Sequence, residues 1–189
     1  VYKNGDIVVD GISNGKPLFI KYSKAPNEFT TLVRMPDALK KTIGNIKLFY
    51  SFKDTQRRYC DPDAFAGFIG ALAEMSFEDV QSTGMCFADA TSFPSISHPN
   101  GDSIDTAYLY DSGQFSKVRE QQKINAFRKF NFKNIIRGCD QKFTGLTGHH
   151  HCNSKHNNHL HAGDFDKKMV FGICTNPNKK MVFGICTNP

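Results

Sequence analysis

Several features are missing from the sequence, and each absence narrows what the protein can be. No tryptophan occurs among the 189 residues, whereas phenylalanine occurs 17 times, so we expect a phenylalanine-rich core. No apolar run reaches about 18 residues, the length of a transmembrane helix, so no membrane span is expected. The basic start and apolar stretch of a signal peptide are also missing, so we expect either that a leader has been removed or that none existed.

Cysteine is present, but no CxxC pair occurs, so a cysteine zinc finger is not expected. The six cysteines are scattered at Cys60, Cys86, Cys139, Cys152, Cys174 and Cys186. Scattered cysteines in a small domain indicate disulfides and an oxidising compartment. We predict the pairs Cys139–Cys152 and Cys60–Cys86, and the alternative is that these residues are free buried thiols.

The charge balance favours an anionic partner. Lysine and arginine number 24 against 18 acidic residues, which gives a net charge of +6. Nucleic acid and the anionic bacterial wall are both acidic polymers that would be attracted to this charge. The basic residues are scattered and form no aromatic–basic module of a nucleic-acid-binding type, so we do not expect nucleic acid to be the partner.

The pattern of apolar residues predicts an α+β fold. Short apolar runs separated by Gly and Asn indicate strands in the first 50 residues: DIVVDGI, PLFIKY, TTLVRM and NIKLFY. A helix is predicted over 60–75, with Asp61 as its cap, and a second over 116–130. The stretch 83–110 is strand-like with a polar loop inside it, 138–158 is loop-like, and 159–165 alternates as a strand.

Two further local patterns suggest helical structure. The segment MPDALKKTI can form one or two helical turns, and Ser76 followed by Asp79 suits the cap of a short helix. No regular alternation of strand and helix follows, so we expect a single domain with a small central antiparallel sheet flanked by helices.

The C-terminal residues contain a perfect repeat. The segments 167–177 and 179–189 both read KKMVFGICTNP. Natural repeats usually diverge, and repeat folds need about three units, so we interpret 178–189 as an artificial duplication. The alternative is a genuine extra strand. We expect one domain over 1–177, with a motif-bearing core at about 83–166.

Histidine is concentrated in one place. Six of the seven histidines fall between His149 and His161, and the seventh is His98. Upstream, residues 97–105 read SHPNGDSID, in which His98 and Asp105 can supply two metal ligands if the chain bends at the turn sequence PNG. Downstream, residues 156–161 read HNNHLH. Side chains two apart on a strand face the same side, so one histidine of the HLH segment can bind metal while the other faces a reacting group.

These two elements resemble the motifs of the LAS metallopeptidases, the group that contains D-alanyl-D-alanine peptidases and the penicillin-insensitive murein endopeptidase. That group carries HxxGxxxD followed by a downstream HxH, or by an acid and then a His, and the murein endopeptidase form is HxxHxH. In this chain the two elements are His98-x-x-Gly101-x-x-x-Asp105 and His156-x-x-His159-x-His161. The resemblance implies zinc bound by His98, Asp105 and His161. It also implies that His159 and His156 are the catalytic or transition-state-stabilising histidines. One position departs from the murein endopeptidase pattern, which has another histidine where this chain has Ser95.

The resemblance also implies a function. It indicates a zinc peptidase that hydrolyses peptidoglycan near D-amino acids, and the HxxHxH form favours a DD-endopeptidase over a DD-carboxypeptidase. Such an enzyme would be periplasmic or secreted. It would be a housekeeping wall hydrolase, a phage lysin or an antibacterial effector, and an effector would have an immunity protein as partner. The alternatives are a non-catalytic zinc-binding module on the same scaffold and a histidine-rich metal buffer, although a buffer would not need His98 and Asp105.

Overall fold

The computed structural model describes residues 7–13, 16–22, 32–92, 95, 97–166, 180–182 and 185–187. The two helices in this part of the chain are α1 (Pro62–Met75) and α2 (Lys117–Lys129). The strands are β1 (Ile7–Ser13), β2 (Lys16–Tyr22), β3 (Val33–Arg34), β4 (Ala38–Ile43), β5 (Ile46–Phe52), β6 (Tyr59–Cys60), β7 (Gln81–Gly84), β8 (Ile104–Ala107), β9 (Tyr110–Asp111), β10 (Gln114–Phe115), β11 (Phe132–Arg137), β12 (His151–Cys152), β13 (His159–Phe165), β14 (Lys180–Val182) and β15 (Ile185–Thr187). Short 3₁₀ turns lie at Pro99–Gly101, Gln141–Phe143 and Ser154–His156.

A seven-stranded sheet organises the fold, with its strands in the order β12, β11, β13, β8, β7, β5, β4. Four of its pairings are antiparallel, and β5–β7 and β11–β12 are parallel. The other strands form two-stranded pairs. With two helices beside this sheet, the predicted α+β class is confirmed. Neither helix in the described part of the chain is long and apolar enough to cross a membrane.

Both helices contribute to a core on one face of the sheet. Leu48 on β5 and Leu160 on β13 are buried together with Phe68 of α1 and Phe127 of α2. The rings of Phe68 and Phe127 stack with their centroids 6.2 Å apart. Phe132 and Phe143 are also fully buried, which confirms the phenylalanine-rich core. Because side chains alternate along a strand, the intervening residues of β8 and β13 lie on the opposite face of the sheet.

The predicted helix over 60–75 is confirmed, and the capping residue is the expected one. The Asp61 carboxylate accepts hydrogen bonds from the backbone N–H groups of Asp63 and Ala64 at 3.0 and 3.4 Å. Ser76 ends the helix in the left-handed conformation, at φ 52°, and its N–H donates to the Leu72 carbonyl. The short helix predicted after Ser76 is therefore wrong, because Ser76 closes α1 instead of beginning another helix.

The segment 35–43 does not form the helical turns that its sequence allows. Residues Ala38–Ile43 instead form β4, which pairs in antiparallel register with β5 from Ala38 opposite Ser51 to Ile43 opposite Ile46. Ladder hydrogen bonds to a neighbouring strand outweigh weak local helix propensity. The prediction failed because it considered the segment without its partner.

Helix α2, which confirms the prediction over 116–130, is tied to β8 by a buried ion pair. Glu120 and Lys123 are fully buried, with Lys123 Nζ 3.0 Å from Glu120 Oε1. Lys123 Nζ also donates to the Ala107 carbonyl at 2.7 Å, and Glu120 Oε2 accepts from the Leu109 N–H at 3.1 Å. Burial raises the pKa of Glu120 and lowers that of Lys123. The pair therefore fixes the end of β8 against α2.

The cysteine predictions are confirmed at one site and wrong at the other. Cys139 and Cys152 form a disulfide with their Cα atoms 5.1 Å apart. Cys60 and Cys86 are both buried free thiols. The residue that faces Cys86 across an isolated bridge is Tyr59, so Cys60 is one position out of register. Each thiol donates instead to a backbone carbonyl, that of Gly101 for Cys60 and that of Tyr59 for Cys86.

The repeated C-terminal segments lie largely outside the described residues. Of the second copy, β14 and β15 pair as an antiparallel hairpin. The structure describes none of the residues of the first copy, 167–177. The interpretation of 178–189 as a duplication therefore stays a prediction, as do the domain bounds drawn from it.

Removing one partner of the buried ion pair should destabilise the protein strongly. In Lys123→Met the Glu120 carboxylate stays buried without its cation, which costs about 3–5 kcal/mol of unfolding free energy. The matched control is Lys129→Met on the same helix, where the exposed pair with Glu74 contributes less than about 1 kcal/mol. Urea denaturation measures both variants, and equal losses would contradict this role of the buried pair.

Candidate metal centre

The register between β8 and β13 builds the candidate site. His161 lies directly opposite Asp105, and His159 lies opposite Ala107. Paired residues on neighbouring strands point to the same face, so the side chains of His159, His161 and Asp105 share the sheet face that α1 and α2 do not cover. The third predicted ligand, His98, comes from the loop just before the 3₁₀ turn at Pro99–Gly101.

Three side-chain atoms from these residues meet at one point. His98 Nε2, His161 Nδ1 and Asp105 Oδ1 lie 3.0 Å from one another in every pairing. All three residues are buried, with 0%, 1% and 4% of their surfaces exposed for His98, His161 and Asp105. Each atom is the kind that coordinates a metal, and this buried group could hold a metal ion.

Backbone conformation and close packing both require a glycine in the turn between His98 and Asp105. Asn100 and Gly101 both adopt positive φ, at 67° and 72°, so the chain bends at PNG as predicted. A Cβ on Gly101 would lie 2.7 Å from the backbone nitrogen of Asp61, whose N–H donates to the Gly101 carbonyl at 3.0 Å. The glycine therefore lets the turn pack against the start of α1, which positions His98.

The charges in the cluster favour the protonation states that a metal requires. Burial raises the pKa of the Asp105 carboxyl, but the surrounding imidazoles, of which His98 has the largest effect, outweigh burial and hold it well below its usual range. Burial lowers the pKa of His98. An ionised carboxylate and a neutral imidazole are the forms that bind metal. The Arg57 guanidinium lies 3.7 Å from Asp105 Oδ2 and is a positive group beside the carboxylate.

The separations also fit a metal of the size of zinc. Imidazole nitrogen and carboxylate oxygen bind zinc at about 2.0–2.2 Å, and tetrahedral geometry then places ligand atoms about 3.4 Å apart. The observed 3.0 Å requires an outward movement of only a few tenths of an ångström. Three protein ligands are the number found in catalytic zinc sites, which keep the fourth position for water or substrate.

The two histidines predicted as helpers lie beside the cluster. His159 Nε2 is 3.6 Å from Asp105 Oδ2, and its ring centroid is 4.7 Å from that of His156. The His156 ring in turn lies 5.7 Å from that of His161. Burial lowers the pKa of His159 and lowers that of His156 to about 4, with a further contribution from His159. Both imidazoles are therefore neutral near pH 7.

Three further residues, which were not among the predicted site residues, position these groups. Asn158 Oδ1 lies 2.6 Å from His159 Nδ1, which holds that ring with Nε2 toward the cluster. Tyr108 donates its hydroxyl hydrogen to the His156 carbonyl at 2.9 Å and accepts from the Gly138 N–H at 2.7 Å. The third is Arg57, beside Asp105. All three act through contacts between distant segments or through a side-chain orientation, and neither leaves a spacing signal in the sequence.

The run of three adjacent histidines, His149 to His151, stays outside the cluster. His150 and His151 are exposed, and His151 lies on β12 at the edge of the sheet. Among the described residues, the potential metal-binding group contains His98, Asp105 and His161 and no residue of this run.

No family model, curated protein or solved structure matched the chain when it was compared with each of these sets. The likeness to the LAS metallopeptidases therefore depends on the two motifs, whose residues the fold brings together. Both motifs supply the buried group, with His98 and Asp105 from the first and His161 from the second.

Loss of one predicted ligand should remove the metal. His161→Ala leaves two ligand atoms and a gap in the buried cluster, so we expect zinc affinity to fall by at least a hundredfold, in line with the tightness of three-ligand sites. The control is His151→Ala, which removes an exposed histidine outside the cluster. Isothermal titration with Zn²⁺ measures both, and near-native affinity in His161→Ala would show that the metal binds elsewhere.

A glycine beside the ligand should tolerate no side chain. A Cβ on Gly163 would lie 2.5 Å from His161 Nε2 and 2.8 Å from Ser103 Oγ. Gly163→Ala should therefore displace the His161 imidazole from its observed position and weaken zinc binding by tenfold or more, since a ligand shift of this kind is comparable to losing a group that orients it. Circular dichroism should show a retained fold, and unchanged zinc affinity in the folded variant would contradict the geometry.

Proposed function

We propose that this protein is a zinc-dependent peptidase that hydrolyses peptidoglycan, with a DD-endopeptidase favoured. The observation that carries the proposal is the buried cluster of His98, Asp105 and His161 with two more histidines beside it. A structural metal site needs only the ligands and is usually closed by a fourth one. Here the neighbouring positions are occupied by groups that accept and donate protons.

His98, Asp105 and His161 would hold the metal through the three atoms that already converge. When bound, zinc supplies a Lewis acid that polarises a carbonyl and lowers the pKa of water to about 7. The remaining chemistry belongs to the chain. Burial of the three ligands keeps competing water away from them. Arg57 beside Asp105 would supply a positive group near the negative charge that develops during attack on a carbonyl.

His159 has the geometry of a general base. Its Nδ1 is engaged by Asn158, so the free nitrogen, Nε2, faces the cluster. A neutral imidazole there can accept the proton of the attacking water and return it to the leaving amine. Because the pKa of His159 is lowered, the ring is in the accepting form at neutral pH.

The second proposed catalytic histidine is His156. Its ring lies against both His159 and His161, and its backbone carbonyl is fixed by the Tyr108 hydroxyl. A neutral imidazole carries one N–H, which can donate to the oxygen of the tetrahedral intermediate. We therefore assign proton transfer to His159 and oxyanion stabilisation to His156.

The substrate assignment is supported by the HxxHxH pattern and by charge. The net charge of +6 suits the anionic bacterial wall. The Cys139–Cys152 disulfide suits an oxidising compartment, which agrees with a periplasmic or secreted protein. Within this proposal the protein is a housekeeping hydrolase, a lysin or an effector, and an effector would be paired with an immunity protein.

Digestion of purified cross-linked muropeptides with zinc-loaded protein, followed by mass spectrometry, tests the proposal. Conversion of cross-linked dimer to monomer is the expected result. Loss of only the terminal D-alanine would assign a DD-carboxypeptidase. Unchanged muropeptides in the presence of bound zinc would contradict the enzyme and leave the non-catalytic zinc-binding module.

A variant at the proposed base separates metal binding from catalysis. His159→Ala keeps all three ligands, so zinc affinity should stay near that of the native protein, while the rate of dimer cleavage should fall by about 10²–10⁴-fold because general base catalysis is lost. The control is His150→Ala, an exposed histidine outside the cluster, which should retain full activity. A fully active His159→Ala variant would show that the base is another group.

A further inference from the structure

A second binding feature lies on the sheet beyond the metal centre. A cleft of about 680 Å³ opens where β7 begins and β8 ends. Its lining combines aromatic rings with a few polar groups, contributed by Lys40, Phe49, Ser51, Gln81, Tyr108 and Tyr110. A cleft of this size and mixed lining is typical of ligand sites.

Strand register places part of the cleft lining, namely Gln81, Ser51, Phe49 and Lys40, on the same sheet face as the candidate catalytic groups. Ser82 lies opposite Thr106, so Gln81 lies level with Ala107, which is paired with His159. Gln81 is in turn paired with Ser51. Adjacent strands are about 4.8 Å apart, so Gln81 is about 10 Å from His159. A peptide lying across the strands can therefore occupy the metal centre and the cleft together.

Of the charged side chains that line the cleft, one has no ion-pair partner among the described residues. Glu78 and Asp79 also line it, but Glu78 is paired with Lys47 and Asp79 with Arg119. Among the described residues, Lys40 has no acidic partner, and its ammonium lies 5.8 Å from the centre of the Phe49 ring. The cleft therefore offers a free cation beside an aromatic ring and an amide, while both of its carboxylates are already neutralised.

We propose that this cleft is a substrate subsite that binds an acidic segment of the peptide, with a carboxylate at Lys40 and the adjoining chain on Phe49 and Tyr110. The inference rests on the proposed function. Lys40 lies four strands from His159, about 19 Å, and an extended chain advances about 3.3 Å per residue. The acidic segment is thus about three to six residues from the bond that is cut.

The test compares two cross-linked muropeptide dimers that differ only in whether the α-carboxylates of their glutamyl residues are free or amidated. Calorimetry with zinc-loaded His159→Ala protein measures binding without turnover, and the same dimers are digested with the native protein. We expect the free acid to bind about three- to tenfold more tightly than the amide, as a partly exposed ion pair allows. This preference should shrink at high salt.

Two lysine variants, each made in the His159→Ala background, locate the effect. Lys40→Gln should abolish the preference for the free acid. Lys41→Gln is the matched control, because Lys41 pairs with the core-facing Leu48 and so lies on the other face of β4, and it should keep the preference. A preference that survives Lys40→Gln, or that is absent in the His159→Ala parent protein, overturns the subsite.

The binding and digestion measurements test the subsite and the peptidase activity separately. Cleavage of both dimers with no preference for the free acid overturns the subsite and leaves the peptidase. A preference that depends on Lys40 in a protein that cleaves neither dimer supports the subsite and overturns the proposed peptidase activity.

Discussion

The pairing of β8 with β13 is the constraint on which the site depends. It places His161 opposite Asp105 and His159 opposite Ala107. His159 is two residues before His161 on β13, so both side chains lie on the same face of the sheet. A slip of one residue would turn His161 toward the core and Leu160 toward the open face, because strand side chains alternate with period two. The apolar residues that alternate with the site residues along β8 and β13 fix the register, because Leu160 and Ile104 are fully buried in the core.

This arrangement buries the carboxylate of Asp105, a residue that is only 4% exposed. A buried charge is tolerated only when it is paired or coordinates a metal. Asp105 has His98 and His161 at 3.0 Å and Arg57 at 3.7 Å. The neighbouring loop is held by the hydrogen bond from the Tyr108 hydroxyl to the His156 carbonyl and by the Cys139–Cys152 disulfide. Rigid surroundings of this kind keep ligands within the narrow tolerance that a metal site requires.

Features with local signals could be predicted from the sequence. Helix α1 was predicted with Asp61 as its cap, and β13 was predicted from its alternation. The cluster of His98, Asp105 and His161 was predicted from the resemblance of its two motifs to those of the LAS metallopeptidases. What failed or was missed depends on distant partners. Strand β4 forms because β5 is beside it, Cys60 and Cys86 are separated by register, and Arg57 reaches Asp105 from 48 positions earlier in the chain.

Anomalous diffraction at the zinc edge from crystals grown with Zn²⁺ tests the central claim most directly. The account predicts one strong peak about 2.0–2.2 Å from His98 Nε2, His161 Nδ1 and Asp105 Oδ1, with the fourth position not filled by a protein side chain. A peak among His149, His150 and His151, with none at the buried cluster, would contradict it.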